Sequence, residues 1–422
     1  MLIFIFKRKM RKKISNLFFI NFFNLSLNQG VNILAVILVT PILFKNLGES
    51  EYGLVNLAFS IVMVLAIVVH YGYLLNGPKR ISLFKTKIEK LEFITEVISL
   101  RLVIALLISI VVYIIITLTN IFVGYEDILM FSLLILLSES LHPLFHLQGE
   151  NNLSILAITN AISKLIYVGF IILLVNNPDD SFLVNLIFGG ALSMVYLIYW
   201  LNFFFKSKTK FIWPNSHKII YRIKENFEFF FSSIAGHVST YSGIIILSNF
   251  IDDSELGKFA LAQKAGILLR MIPIFIIQSV LQEASLINQN RKSYFNDYLS
   301  KFYIKGLLFT FFLGLLVTLL SKHIIVFLSG SEIGYSQEVL GLLSFIPFLA
   351  MLNFKNIIKI LVEEKKIILN KAAWISTFIM IVLSLVSSYY HGGKGLAIAL
   401  LFSELASFIV HSILLSKSND SK

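Results

Sequence analysis

Residues 206–226 read KSKTKFIWPNSHKIIYRIKEN, the longest polar interruption in an otherwise apolar chain, and they fall almost at its midpoint. Lys206, Lys208, Lys210, Lys218, Arg222 and Lys224 stand against a single acid, Glu225. Pro214 and Asn215 interrupt a helix here, and Trp213 and Tyr221 are side chains suited to a headgroup boundary. So dense a run of Lys and Arg between hydrophobic blocks marks a segment held on the cytoplasmic side, because positive charge is retained there during insertion. A nucleic-acid patch on a soluble protein would need flanks that are not lipid-soluble, and these are.

Composition sets the class. Of the 422 residues 57% are hydrophobic and only 14% charged, with a mean hydropathy of +0.83, a balance that excludes a soluble globular domain. Repeated apolar runs, each long enough for the ~30 Å hydrocarbon core, predict an all-α polytopic membrane protein. The net charge of +12 then speaks of sidedness and of anionic lipid rather than of nucleic acid. With no cysteine there is no disulfide framework, thiol chemistry or Cys-based metal site. The cationic start at Lys7–Lys13 precedes a long, Asn-studded run without a small-residue cleavage site, which reads as a retained first span.

Outward from the central stretch, spans are expected at about 16–44, 52–77, 92–119, 127–148, 152–175 and 182–205 before it, and at about 227–250, 256–284, 302–321, 335–360, 366–390 and 392–416 after it. This makes twelve transmembrane helices in two six-helix lobes, 1–205 and 227–422, joined by the basic linker 206–226. Placing the N-terminus in the cytoplasm puts 25 Lys and Arg in cytoplasmic segments and leaves only Lys45, Lys258, Lys322 and Lys394 outside. A miscount near the start would destroy that asymmetry, so both termini are predicted cytoplasmic. No external loop exceeds about twenty residues, which leaves no room for a catalytic domain and predicts a non-enzyme. Ser50-Glu51-Tyr52-Gly53 with Leu57-Ala58 also lines up, at a constant offset of 204, with Ser254-Glu255-Leu256-Gly257 and Leu261-Ala262. Six helices per half give both copies the same orientation, the parallel-repeat plan of transporters that rock two lobes around a central site.

Charges that cannot reach water are expensive and mark cavities or pairs. Lys305, Lys355 and Lys371 lie near cytoplasmic helix ends and can snorkel. Lys164, Lys264 and Arg270 lie too deep for that, and Arg101 is intermediate; each is either a substrate contact or half of an ion pair with Glu139 or Glu404. Lys264, Met271, Gln278 and Gln282 share one helical face, and Gln263 with Arg270 another. Cations and amides in a wet cleft suit an anionic group such as phosphate. Asn21, Asn24, Asn28 and Asn32 line one face of the first span, either toward substrate or as glue between helices. Glu139, His142 and His146 share a face of the fourth, a spacing open to a metal ion, to a proton- or ion-coupling cluster or to helix-end packing, with Pro143 interrupting the turn.

Leu47-Gly48 with Tyr52-Gly53, Tyr71-Gly72 followed by Lys79-Arg80, Pro143 with Gln148-Gly149-Glu150, Lys164, and Leu256-Gly257-Lys258-Phe259 with Ala262-Gln263-Lys264 occur in an order that resembles the Wzx-type polysaccharide flippases. These belong to the multidrug and oligosaccharidyl-lipid exporter superfamily, whose fold is the MATE-like pair of lobes. The resemblance implies a multi-pass protein of the bacterial cytoplasmic membrane that moves polyprenyl-diphosphate-linked oligosaccharide repeat units outward for O-antigen, capsule or exopolysaccharide synthesis. It implies alternating access around a cationic cleft in which Lys264, Arg270, Lys164, Arg101, Asn28, Asn32, Gln278 and Gln282 meet substrate. Glu139, His142, His146 and Glu404 would serve H⁺ or Na⁺ coupling, with no other cofactor. Membrane lipids, a polysaccharide polymerase and a chain-length regulator are the implied partners. The rival within the superfamily is a cation-coupled multidrug exporter, which would be expected to hold a cationic substrate with intramembrane carboxylates; the first span has none. A major facilitator shares the six-plus-six plan, but Lys79–Lys90 lacks the Asp and Gly-Arg pattern of that family.

Overall fold

The computed structural model describes the backbone of residues 2–209, 211, 213–290 and 292–420, and side chains of residues 28–209, 211, 213–281, 283–290 and 293–418. Asn21, Asn24 and the side chain of Gln282 lie outside the described residues. In chain order the α-helices are α1 (Leu2–His70), α2 (Tyr73–Leu83), α3 (Lys87–Leu118), α4 (Glu126–Ser132), α5 (Leu134–Leu141), α6 (Leu144–Gly149), α7 (Leu153–Leu174) and α8 (Ser181–Ser207). They continue as α9 (Ser216–Leu247), α10 (Asp253–Asn290), α11 (Phe295–Ser329), α12 (Gly334–Leu343), α13 (Ile346–Leu352), α14 (Phe354–Val362) and α15 (Lys366–Asp420). Among the described residues there is no strand. In hydrocarbon every backbone N–H and C=O needs a partner within the protein, and a helix supplies it within its own segment.

Among the described residues ten helical runs are long and apolar enough to cross a membrane. Two of these, Asn28–Leu83 and Lys366–Ser418, hold 56 and 53 residues, far more than the ~20 one crossing needs. Each breaks at a glycine with positive φ, Gly48 at 76° and Gly392 at 54°, a conformation that side chains rarely adopt. Sequence placed its first and last inter-span turns at these points. The expected fourth and tenth spans are each built of three short pieces. One breaks at Leu133 and again at His142-Pro143, the other at Ser344-Phe345 and at Asn353. The start of α3 follows from a capping box: Glu89 N–H donates to Thr86 Oγ1 at 3.2 Å, and Thr86 N–H donates to the Glu89 carboxylate at 3.3 Å.

The chain forms two compact units, one of Met1–Val39 with Leu65–Ile234, the other of Thr40–Val64 with Ala235–Lys422. The core of the first is aromatic: Tyr73, Phe93, Phe145, Tyr196 and Trp200 are buried together, and Trp200 Nε1 donates to the Leu141 carbonyl at 2.7 Å. Part of the central basic stretch is anchored in this unit. α8 ends at Ser207, Lys208 takes φ 54°, and the helix resumes at Ser216. Arg222 Nε then donates to Glu96 Oε2 at 2.7 Å, Lys218 Nζ stands 3.1 Å from Glu96 Oε1, and Asn76 Nδ2 donates to Asn226 Oδ1 at 2.9 Å. In the second unit Val280, Leu299, Met351, Phe354 and Ile358 form the core. The two copies of the Ser-Glu-x-Gly repeat pack on each other there, and Glu49 Oε2 accepts from Ser254 Oγ at 2.6 Å and pairs with Lys258 Nζ at 3.0 Å.

Candidate functional site: charged groups within the helices

In the first unit the polar centre grows from Pro143. Proline has no N–H, so the carbonyl of Glu139, four residues earlier, loses its α-helical donor and keeps only a long 3.4 Å bond from the His142 N–H, and the chain bends out of helix at His142 with ψ 116°. Arg101, fully buried on α3, fills the gap: its Nη2 donates to the Glu139 carbonyl and its Nη1 to that of His142 at 3.1 Å. Nη2 also lies 3.1 Å from His70 Nδ1. A guanidinium only donates, so Nδ1 is the acceptor and the His70 proton sits on Nε2. That atom is 3.0 Å from Glu139 Oε2, and His142 Nδ1 lies 4.0 Å from the same oxygen. The result is a chain of contacts from guanidinium to imidazole to carboxylate that ties α3 and α5 to the end of α1.

Sequence spacing put His146 with this group, but the break at Pro143 turns it elsewhere. Its Nδ1 shares a proton with Tyr199 Oη at 2.7 Å and its ring lies against Phe203 and Trp200. Lys164 sits over the Phe188 ring, Nζ 3.9 Å from the centroid, a cation–π contact. Below it on α7, Asn160 Nδ2 reaches Asn32 Oδ1 at 3.1 Å and the Asn28 carbonyl at 3.2 Å, so one part of the Asn face of α1 is tied to α7.

In the second unit Lys264 and Arg270 diverge, as their helical phases require. Arg270 Nη2 binds Glu404 Oε1 on α15 at 2.7 Å. Lys264 Nζ lies 5.4 Å from the Phe59 ring centroid, and no carboxylate among the described residues stands within ion-pair distance of it. Gln278 is exposed on α10. Lys355, the expected snorkelling lysine, donates to Ser300 Oγ at 2.9 Å and lies over Tyr303. Among the described residues no group of three His, Asp or Glu is placed to hold a metal ion. His70, Phe59, Phe188 and Asn160 were not singled out from sequence. His70 lies 69 residues before Glu139, and no local spacing reveals such a partner.

The helical architecture is one shared with solved membrane transporters. It superposes on the lipid II flippase MurJ in an inward closed conformation with a TM-score of 0.75, at 17% identity over 93% of this chain and 87% of that one. On an inward-facing multidrug resistance MATE family transporter of the MOP superfamily the TM-score is 0.68, at 12% identity over 94% and 99%. The chain belongs to the polysaccharide biosynthesis protein family, whose model matches residues 19–282. It is 24% identical over 398 residues to a Shigella dysenteriae protein assigned as an O-antigen transporter, covering 91% of this chain and 96% of that protein.

Proposed function

We propose that the protein is a flippase that carries a polyprenyl-diphosphate-linked oligosaccharide repeat unit across the bacterial cytoplasmic membrane for surface-polysaccharide synthesis. Family membership and similarity to an assigned O-antigen transporter support the substrate class. The observation that carries the mechanism is Lys264. It lies eleven residues into α10, about 16 Å along the axis, and has no carboxylate in reach among the described residues. An ammonium at such depth is costly unless it meets an anion or water, and a diphosphate is such an anion. Lys264 is assigned to the diphosphate, with Lys164 and the amides of Asn28, Asn32, Gln278 and Gln282 as further substrate contacts.

Arg101 and Arg270 have protein partners, which supports a positioning role for both. Glu139, with His70 between it and Arg101, is the candidate for proton coupling of an alternating-access cycle, with His142 beside it; His146 and Glu404 are weaker candidates for coupling, held by Tyr199 and Arg270 respectively. Counting each of the two glycine-bent helices twice raises ten runs to twelve crossings, and an even number puts both termini on one side. The lysine distribution favours the cytoplasm for that side. Surface polysaccharide restored to a strain lacking its own transporter by the wild-type gene, and not by Lys264→Ala at equal membrane abundance, is the expected result. Full restoration by that variant removes Lys264 from the site.

A further inference from the structure

A cavity of 1110 Å³ opens between α7, α8 and the α2–α3 turn of the first unit, apart from the charged groups assigned to substrate. Its outward-facing wall on α7 and α8 is apolar, with Ile162, Met194 and Ile198 about half exposed in the protein alone and Ile166 beside them in the lining, while His146, Tyr199 and Asn202 add polar groups. Its rim carries Lys85, Lys87, Lys90 and Lys206. Two of these are engaged, Lys90 with Glu150 at 2.5 Å and Lys87 with the Ser207 carbonyl at 3.0 Å. Lys85 and Lys206 are exposed and have no ion-pair partner among the described residues. From Lys206 to Met194 the groove follows twelve residues of α8, about 18 Å, slightly more than one leaflet of a ~30 Å hydrocarbon core.

We propose that this groove is a binding site for an anionic diacyl phospholipid of the cytoplasmic leaflet, its phosphate on Lys85 and Lys206 and one acyl chain along Ile162, Ile166, Met194 and Ile198. Three features select that occupant. The depth is that of one leaflet, whereas a polyprenyl chain would overrun it. Two unpaired ammoniums match a singly charged phosphodiester better than a diphosphate, and basic side chains at this level attract anionic headgroups. The long lysine stems lie on apolar surface while their charges reach the headgroup layer. The choice of leaflet rests on the sidedness proposed above.

The test is native mass spectrometry of the purified full-length protein, titrated with phosphatidylglycerol and with phosphatidylethanolamine. Wild-type protein is expected to retain phosphatidylglycerol preferentially, K85Q and K206Q to lose roughly fivefold of that preference each, and the double variant to lose both steps. M194W, which leaves every charge in place, should weaken retention of either lipid by filling the chain seat. Equal retention of the two lipids by wild type, or unchanged phosphatidylglycerol binding in the double variant, overturns the site. Displacement of phosphatidylglycerol by polyprenyl diphosphate, one for one and dependent on Lys85 and Lys206, also overturns it and assigns the groove to substrate. Failure of the flippase reading would appear differently, as wild-type protein that binds phosphatidylglycerol here and translocates nothing.

Discussion

Arg270 on α10 donates to Glu404 on α15 at 2.7 Å, so the deepest cation of the eighth expected span is held by a carboxylate 134 residues away. Removing one member strands the other. Because the Arg270 side chain is 36% exposed, the cost of Arg270→Ala should fall near 2 kcal/mol, between the ~0.5 of exposed pairs and the 3–5 of buried ones. The expected outcome is lower membrane abundance and a lower melting temperature of the purified protein for Arg270→Gln or Glu404→Gln alone, with recovery in the double variant. A double variant that stays as poor as either single one contradicts this.

Arg101 presents a harder requirement, since it serves two carbonyls and an imidazole at once. Arg101→Lys offers one ammonium in place of a planar fork and should restore only part of the stability lost in Arg101→Leu, which is expected to reach ~3 kcal/mol because the His142 carbonyl loses its donor and the Glu139 carbonyl keeps only a long bond from the His142 N–H. Thermal unfolding in detergent measures both. If Arg101→Leu melts with wild type and only transport falls, Arg101 belongs to the substrate site instead.

Gly257 and Gly53 tolerate no side chain. A Cβ on Gly257 would lie 1.9 Å from the Glu49 carbonyl oxygen, and one on Gly53 would lie 2.6 Å from that of Asp253. The obstacles are backbone atoms and cannot rotate aside, so Gly257→Ala should cost about 2 kcal/mol or more. Gly341→Ala, whose Cβ would meet Thr318 Cγ2 at an ordinary 3.5 Å, should melt at or slightly above the wild-type temperature. Equal melting of the two variants would show that these helix ends separate freely.

Sidedness can be read directly because the chain has no native cysteine. Single cysteines at the exposed positions Asp179, Asp252 and Ser331 should react with an impermeant maleimide in intact cells, and one at Asn215 only after permeabilisation. Labelling at Asn215 in intact cells would reverse the assignment.

How much of this was legible in the sequence depends on whether the cause was local. The spans now seen as α7 and α8 were expected at 152–175 and 182–205 and run Leu153–Leu174 and Ser181–Ser207, because an unbroken apolar run between polar residues is a local signal. The basic stretch was less transparent. It read as a loop from Lys206 to Asn226, yet from Ser216 onward it is helix tied down by Glu96, an acid in a helix more than a hundred residues earlier. At the charged centre, spacing alone grouped Glu139, His142 and His146. Pro143 alters the helical phase between them, leaves His142 near Glu139 and sends His146 to Tyr199. The partner that matters most to Glu139, His70, carries no sequence mark beyond being a histidine near a helix end. Lys264 was recognisable as deep, but Phe59 beneath it was one apolar residue among many.

The proposed role of Lys264 is to supply charge to a lipid-linked diphosphate as it crosses the membrane. Its most direct test is translocation in proteoliposomes, reading how fast a polyprenyl-diphosphate oligosaccharide placed in one leaflet becomes accessible to a glycosidase on the other side. Rapid exposure is expected with wild-type protein, exposure at least roughly tenfold slower with Lys264→Ala, and partial recovery with Lys264→Arg, which keeps the charge in a wider shape. Exposure by Lys264→Ala at the wild-type rate, in vesicles holding the same amount of folded protein, would contradict it.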